Sequence, residues 1–148
     1  MFMKKIVKIL ILAAMIVSLY LVPAVAGDTN FSKYGVTNYN GTRIFRALTT
    51  APNKKATRNA DWYYKVNTIQ FTMDTSGTLG MAFTPMKYME EDYYTVGADV
   101  GWALSSTGVK YKGWNGNGFE NITYYLGLRL DDLLTSGSGS VSGYWNAY

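Results

Sequence analysis

The chain has 148 residues, 48% of them apolar and 16% aromatic, with no Cys, no His and a formal net charge of +4. Without imidazole or thiolate, Ser-His-Asp and Cys-His catalysis are excluded, as are metal sites built on those ligands. No disulfide can form, so the fold has to be held by packing alone.

The first 26 residues read as an export signal. Lys4, Lys5 and Lys8 form a basic start, residues 9–22 are uncharged, Pro23 breaks the run, and Ala24-Val25-Ala26 supplies small residues for cleavage. The apolar run falls short of the roughly 20 residues of a spanning helix. No Cys follows it, which argues against a lipid-anchored form. The expectation is a signal peptide over 1–26, a single secreted β domain over 27–148, and no membrane-spanning segment after cleavage. Exported Cys-free domains of this kind are common in Gram-positive bacteria. Three of the fourteen bases lie in the leader, leaving eleven against ten acids. That near-neutral balance removes the case for a nucleic-acid partner.

Residues 27–39 hold weak strand material around Phe31, Tyr34 and Val36, and Asn40-Gly41 is a turn signal. Residues 42–48 alternate as a strand, and residues 49–60 lose periodicity around Pro52, Asn53, Lys54, Lys55 and Arg58. They read as a long, solvated basic loop, with contact to anionic wall polymer or lipid headgroups as its functional reading. Residues 61–65 lead into the stretch around which the chain is organised, residues 66–83. There Ile69, Phe71 and Met73, then Leu79, Met81 and Phe83, alternate on either side of Asp74-Thr75-Ser76-Gly77, which predicts an antiparallel hairpin.

Residues 86–92 fit one helical turn or an edge segment. Residues 93–104 predict a strand with Tyr94, Val96, Ala98, Val100, Trp102 and Leu104 on one face. Residues 109–114 return with Val109 and Tyr111 opposite Lys110, Lys112 and Trp114, and Asn115-Gly116-Asn117-Gly118 is a turn. Residues 119–130 carry Ile122, Tyr124, Leu126, Leu128 and Leu130 on one face, the pattern of a central strand. Residues 135–140 are flexible by composition, and residues 141–148 form a last strand. The pattern predicts an all-β fold, an antiparallel β-sandwich or flattened barrel of about eight strands, with no helix beyond two turns. Its expected core contains Ile69, Phe71, Met81, Phe83, Trp102 and Leu126.

Of the acids, Asp99, Glu120, Asp131 and Asp132 lie nearest to strands. Nothing in their spacing sets up the carboxylate pair of a glycoside hydrolase or the Asp-x-Asp-x-Asp-Gly loop of a calcium site. The reading is therefore non-catalytic, with no catalytic residue, metal or cofactor. Aromatics are the positive signal, and packing accounts for most of them. Trp114 stands apart, beside Gly113 and a flexible turn, on the strand face it shares with Lys110 and Lys112. Two unpaired lysines are costly to bury, so this face is expected to be solvated, with Trp114 stacking on a glycan, lipid surface or protein of the cell envelope. Asn30, Asn40 and Asn121 begin Asn-x-Ser/Thr triplets, which matter only in a glycosylating host.

The C-terminal stretch carries a resemblance. Leu128-Arg129-Leu130-Asp131, a Ser/Gly-rich turn and Val141-Ser142-Gly143-Tyr144-Trp145 resemble small secreted Cys-free Gram-positive proteins of unassigned function that end in Ser-Gly-Tyr-Trp and a short tail. This chain departs from them in ending Asn146-Ala147-Tyr148 where acidic residues are expected. In size and layout it is also similar to the lactococcin-972-like secreted bacteriocins, with no shared motif. The resemblance implies location and fold class and supplies no catalytic residue. The leading reading is a secreted, non-catalytic binding module at or outside the envelope. A bacteriocin-like or toxin-like protein acting on another cell's envelope is the alternative, and a carboxylate-dependent hydrolase the second alternative.

Overall fold

Period-two alternation does build strands along this chain. The computed structural model describes residues 27–37, 44–58, 60–72, 80–131 and 137–148, and contains nine strands there. In chain order they are β1 (Thr29–Thr37), β2 (Arg46–Lys54), β3 (Trp62–Thr72), β4 (Gly80–Met89), β5 (Asp92–Thr95), β6 (Gly101–Ala103), β7 (Lys110–Lys112), β8 (Thr123–Asp131) and β9 (Ser138–Asn146). Among the described residues there is no helix, hence none long and apolar enough to cross a membrane. The export segment, residues 1–26, lies outside the described residues.

The strands form two antiparallel sheets that pack face to face as a β-sandwich. One has the order β1-β9-β3-β7; the other has β2-β8-β4-β5, with β6 also on β4. Phe31, Trp62, Tyr64, Val66, Val141 and Trp145 from the first meet Leu48, Met81, Phe83, Tyr124, Leu126, Leu128 and Leu130 from the second. Rings bridge the layers: Tyr64 stacks on Phe83 at 4.8 Å and Phe31 tilts against it at 6.1 Å. The outermost strands on one side, β1 and β2, are sewn together at one end. There Thr29 Oγ1 donates to Pro52 O at 3.1 Å, and Asn53 Nδ2 donates to Gly27 O and Thr29 Oγ1, both at 2.9 Å.

Four sequence expectations are corrected. The arms of the expected hairpin are not hydrogen-bonded to each other: β3 pairs β9 and β7, whereas β4 pairs β8, β5 and β6. Both arms keep an apolar face, but the faces oppose one another across the core. Alternation reports that one face is buried and carries no information on which strand lies alongside. Met73, Leu79 and the 74–77 turn lie outside the described residues. Met81, Phe83 and Leu126 are core as expected, while Ile69 and Phe71 are half-buried against it.

The second correction concerns residues 93–104, which are two short strands with the inner face inverted. Gly101 and Ala103 point in, and Trp102 is 45% exposed on the outside. Tyr64 dictates this. Its hydroxyl donates to Trp102 O at 3.0 Å and accepts from Trp102 N at 2.9 Å, and a Cβ on Gly101 would stand 2.3 Å from its ring. Third, the first half of the basic loop, residues 49–54, belongs to strand β2, and Ala51, Asn53 and, just past the strand, Lys55 are buried in alternation. Fourth, Ser138 to Ser140, expected to be flexible, open β9.

Residues 86–92 form a tight hairpin, in which Met89 pairs with Asp92 across Glu90 and Glu91. Both glutamates have positive φ, 49° and 68°, as the type I′ turn demands. Asn-Gly suits that turn and Glu-Glu does not, since a left-handed backbone costs an ordinary residue about 1–2 kcal/mol. Glu90→Asn with Glu91→Gly should therefore raise the unfolding free energy by roughly 1–2 kcal/mol. Urea denaturation checks this, and an unchanged or lower midpoint contradicts it.

Candidate functional site

The three sequence-nominated residues do alternate along one face of β7 and its extension, but that face is the inner one. Lys112 pairs with the buried Trp62, Lys110 with the buried Tyr64, and Tyr111 with Tyr63 on the outside, their rings 5.3 Å apart. Because β7 is an edge strand, Lys110 escapes into solvent and Lys112 is half-buried. Trp114 is only 5% exposed, which corrects the expected exposure. It is wedged between the Tyr124 ring, 4.6 Å away, and Lys55 Nζ, 4.7 Å above its own ring. Gly118 closes the packing, since a Cβ there would lie 2.4 Å from Trp114 Cγ. The Asn115-Gly116 turn holds this geometry, with φ of 50° and 80° and Asn117 N donating to Trp114 O at 2.9 Å.

Lys55 is the residue that sequence reasoning placed most wrongly. It is 0% exposed. Nζ donates to three main-chain oxygens, of Ala60 at 2.7 Å, Ala147 at 2.9 Å and Tyr148 at 2.6 Å. Its three N–H bonds are thus all used, which is how a buried ammonium is tolerated. Burial still pushes its pKa down from 10.5 to about 8, against an opposing pull from Asp61. Asn53, also buried, receives Ala147 N at its Oδ1 at 2.9 Å. Asn53 of β2 and Lys55 just after it therefore clamp the residues that follow β9.

This burial has a measurable consequence in alkali. Unfolded, Lys55 keeps the ordinary pKa of 10.5, while folded it titrates near 8, so between these values the unfolded chain holds more protons. Stability then rises with pH across that window, by about 3 kcal/mol in all. Tyr63, pushed up to about 12 by burial and its hydrogen bond to Asp28, acts oppositely above its ordinary 10.0. Burial raises Tyr64 and Tyr124 in the same direction. Denaturant midpoints should climb from pH 8 to a maximum near pH 10 and fall beyond it. A steady decline from pH 8 contradicts the Lys55 assignment.

Beside Trp114 lies a polar cleft of about 270 Å³ lined by Arg58, Asp61, Gly113, Asn115, Gly116 and Gly118. Asn115 Nδ2 donates to Gly97 O and Asp99 Oδ1, both at 3.0 Å. Trp114 Nε1 is buried with no hydrogen-bond partner. Glu120 sits exposed in a turn, Asp131 ends β8, and Asp132 lies outside the described residues. Among the described residues no three acids gather as a metal-binding group.

A larger opening lies on the far side of the sandwich, where β1 and β2 diverge beyond their sewn end. Two adjoining clefts, of about 280 and 370 Å³, share Lys33, Tyr34, Ala47 and Leu48. Leu48 and Leu128 form an apolar floor, and Lys33 and Arg46 stand exposed at the rim. Tyr34 is 80% exposed. Bulges interrupt both flanking strands, between Lys33 and Val36 in β1 and between Leu48 and Pro52 in β2. Gly35, with φ of 61°, takes the left-handed position of the first bulge and turns Tyr34 outward. Sequence reasoning had only the Tyr34-Gly35 pair as a signal for this groove. Comparison of the chain with protein-family models, with curated proteins and with solved structures finds no match.

Proposed function

We propose that this chain is an exported, non-catalytic β-sandwich that binds an anionic component of the cell envelope in the groove between β1 and β2. The observation that carries the reading is the make-up of that groove. Lys33 and Arg46 flank an exposed tyrosine over the buried Leu48 and Leu128, and none of the lining residues is acidic. Cations beside an aromatic face and an apolar floor suit a ligand with negative charge and some apolar surface. Bulges that redirect a side chain at a sheet edge are frequent beside binding sites. On this reading the contact is the groove and not Trp114, which does not line it.

Sedimentation of the purified protein with isolated cell envelopes tests the reading. Lys33→Ala with Arg46→Ala should weaken binding about fivefold to tenfold, and added salt should weaken the wild type similarly. Lys110→Ala with Lys112→Ala, on the opposite edge, should bind as wild type. Unchanged binding by the Lys33/Arg46 variant would reject the groove.

A further inference from the structure

The outer face of the β1-β9-β3 part of the first sheet carries a second ordered surface, chemically unlike the groove. The strand registers align its side chains in rows. Ser32, Ser142 and Thr68 form one row, and Thr37, Ser138 and Thr72 another. Between them Ser140 pairs with Gln70, and its Oγ accepts from Gly35 N at 3.4 Å, at the bulge that carries Tyr34. Thr68 Oγ1 and Ser142 Oγ are bonded at 2.6 Å. A shallow cleft of about 250 Å³ is lined by Ser32, Tyr34, Thr68, Gln70, Ser140 and Ser142, with Val141 beneath. No lining residue is charged.

The inward partners of these strands, Phe31, Val66, Val141 and Gly143, are buried, so the serines and threonines are the deliberate outer half of the alternation. Strands about 4.8 Å apart, with alternate side chains about 6.6 Å apart, set out a grid of hydroxyls and an amide. Each hydroxyl donates and accepts. The cleft itself offers none of the cations that a nucleic acid needs, the one lysine that β3 adds to this face, Lys65, lying over the Tyr144 ring at 5.7 Å. It is rich in the serine that protein interfaces avoid. It matches a ligand that is itself neutral and covered in hydroxyls. Tyr34, standing at the margin, offers a ring for the apolar face of a sugar. We infer that this face is a binding platform for a neutral polysaccharide, the extent of the grid favouring a polymer over a single sugar.

Depletion of the purified protein by insoluble chitin, cellulose and cross-linked dextran tests this directly. At least one of the polymers should retain the wild type, and raising salt roughly tenfold should not release it, because no charge is involved. Tyr34→Ala with Gln70→Ala should bind roughly tenfold more weakly, an aromatic contact and a hydrogen bond being lost together. Both side chains are exposed, so the melting temperature should not move. Lys33→Ala with Arg46→Ala should be retained as wild type. No retention on any of the three polymers, release by salt, or equal retention of the Tyr34/Gln70 variant would overturn the platform. Envelope binding that is lost with Lys33 and Arg46 but accompanied by no polymer retention would leave the groove standing and remove the platform alone.

Discussion

Trp114→Ala is expected to cost about 3–5 kcal/mol, the range for truncating a buried large aromatic. The indole fills the space between Tyr124 and Lys55 and covers Gly118, so its removal leaves a cavity under the Asn115-Gly116 turn. The turn backbone is pinned from outside the ring, through Asn115 to Gly97 and Asp99, and cannot simply collapse inward. Envelope binding, measured below the new melting temperature, should survive because Trp114 and its partners Lys55 and Tyr124 do not line the groove. Equal stability with lost binding would restore Trp114 as a contact residue and reject its packing role.

Lys55→Met should lose about 1–3 kcal/mol at pH 7, the cost of leaving buried acceptors without a donor, with relief of the desolvated charge opposing it. Methionine fills much of the aliphatic stem's volume, so the loss isolates the head group. Three main-chain oxygens, of Ala60, Ala147 and Tyr148, would be left without their donor in the interior. The variant should also lose the climb in stability between pH 8 and pH 10, which among the described residues only the lysine produces in that direction. Retention of the climb would show that another group is responsible. Denaturant titration at pH 7 and pH 10 measures both effects together.

How much of this was legible in the sequence depended on which residues faced inward. In β8 the inward set is Tyr124, Leu126, Leu128 and Leu130, all large and apolar, and the alternation was read correctly. In β2 and the residue after it the inward set is Leu48, Ala51, Asn53 and Lys55, and a bulge shifts its phase. Polarity there reads as a loop, because a single chain segment does not reveal the carbonyls that satisfy a buried amide or ammonium. At β6 the larger residue points out, because the inner site is filled by a ring from β3 that arrives from 38 residues away. The groove depends on two bulges, and a register shift is a relation between strands. The hydroxyl platform was partly legible: serine alternates with Gly or Val from Ser138 to Gly143, a period-two signal that the Ser/Gly composition masked.

The strand order also dictates when the protein can fold. β9, the last strand, lies between β1 and β3 in the middle of its sheet, and Thr29 of the first strand pairs with Trp145. Of the pairings described, only β4 with β5 joins consecutive strands. Contact between such distant segments has to close long loops before it gains anything, which places folding in the slow, millisecond-to-second class. A chain emerging N-terminus first presents β1 and β3 with open edges until β9 appears. Until then those edges are exposed to aggregation. Arrival of β9 is therefore the event that covers both open edges at once and completes the first sheet.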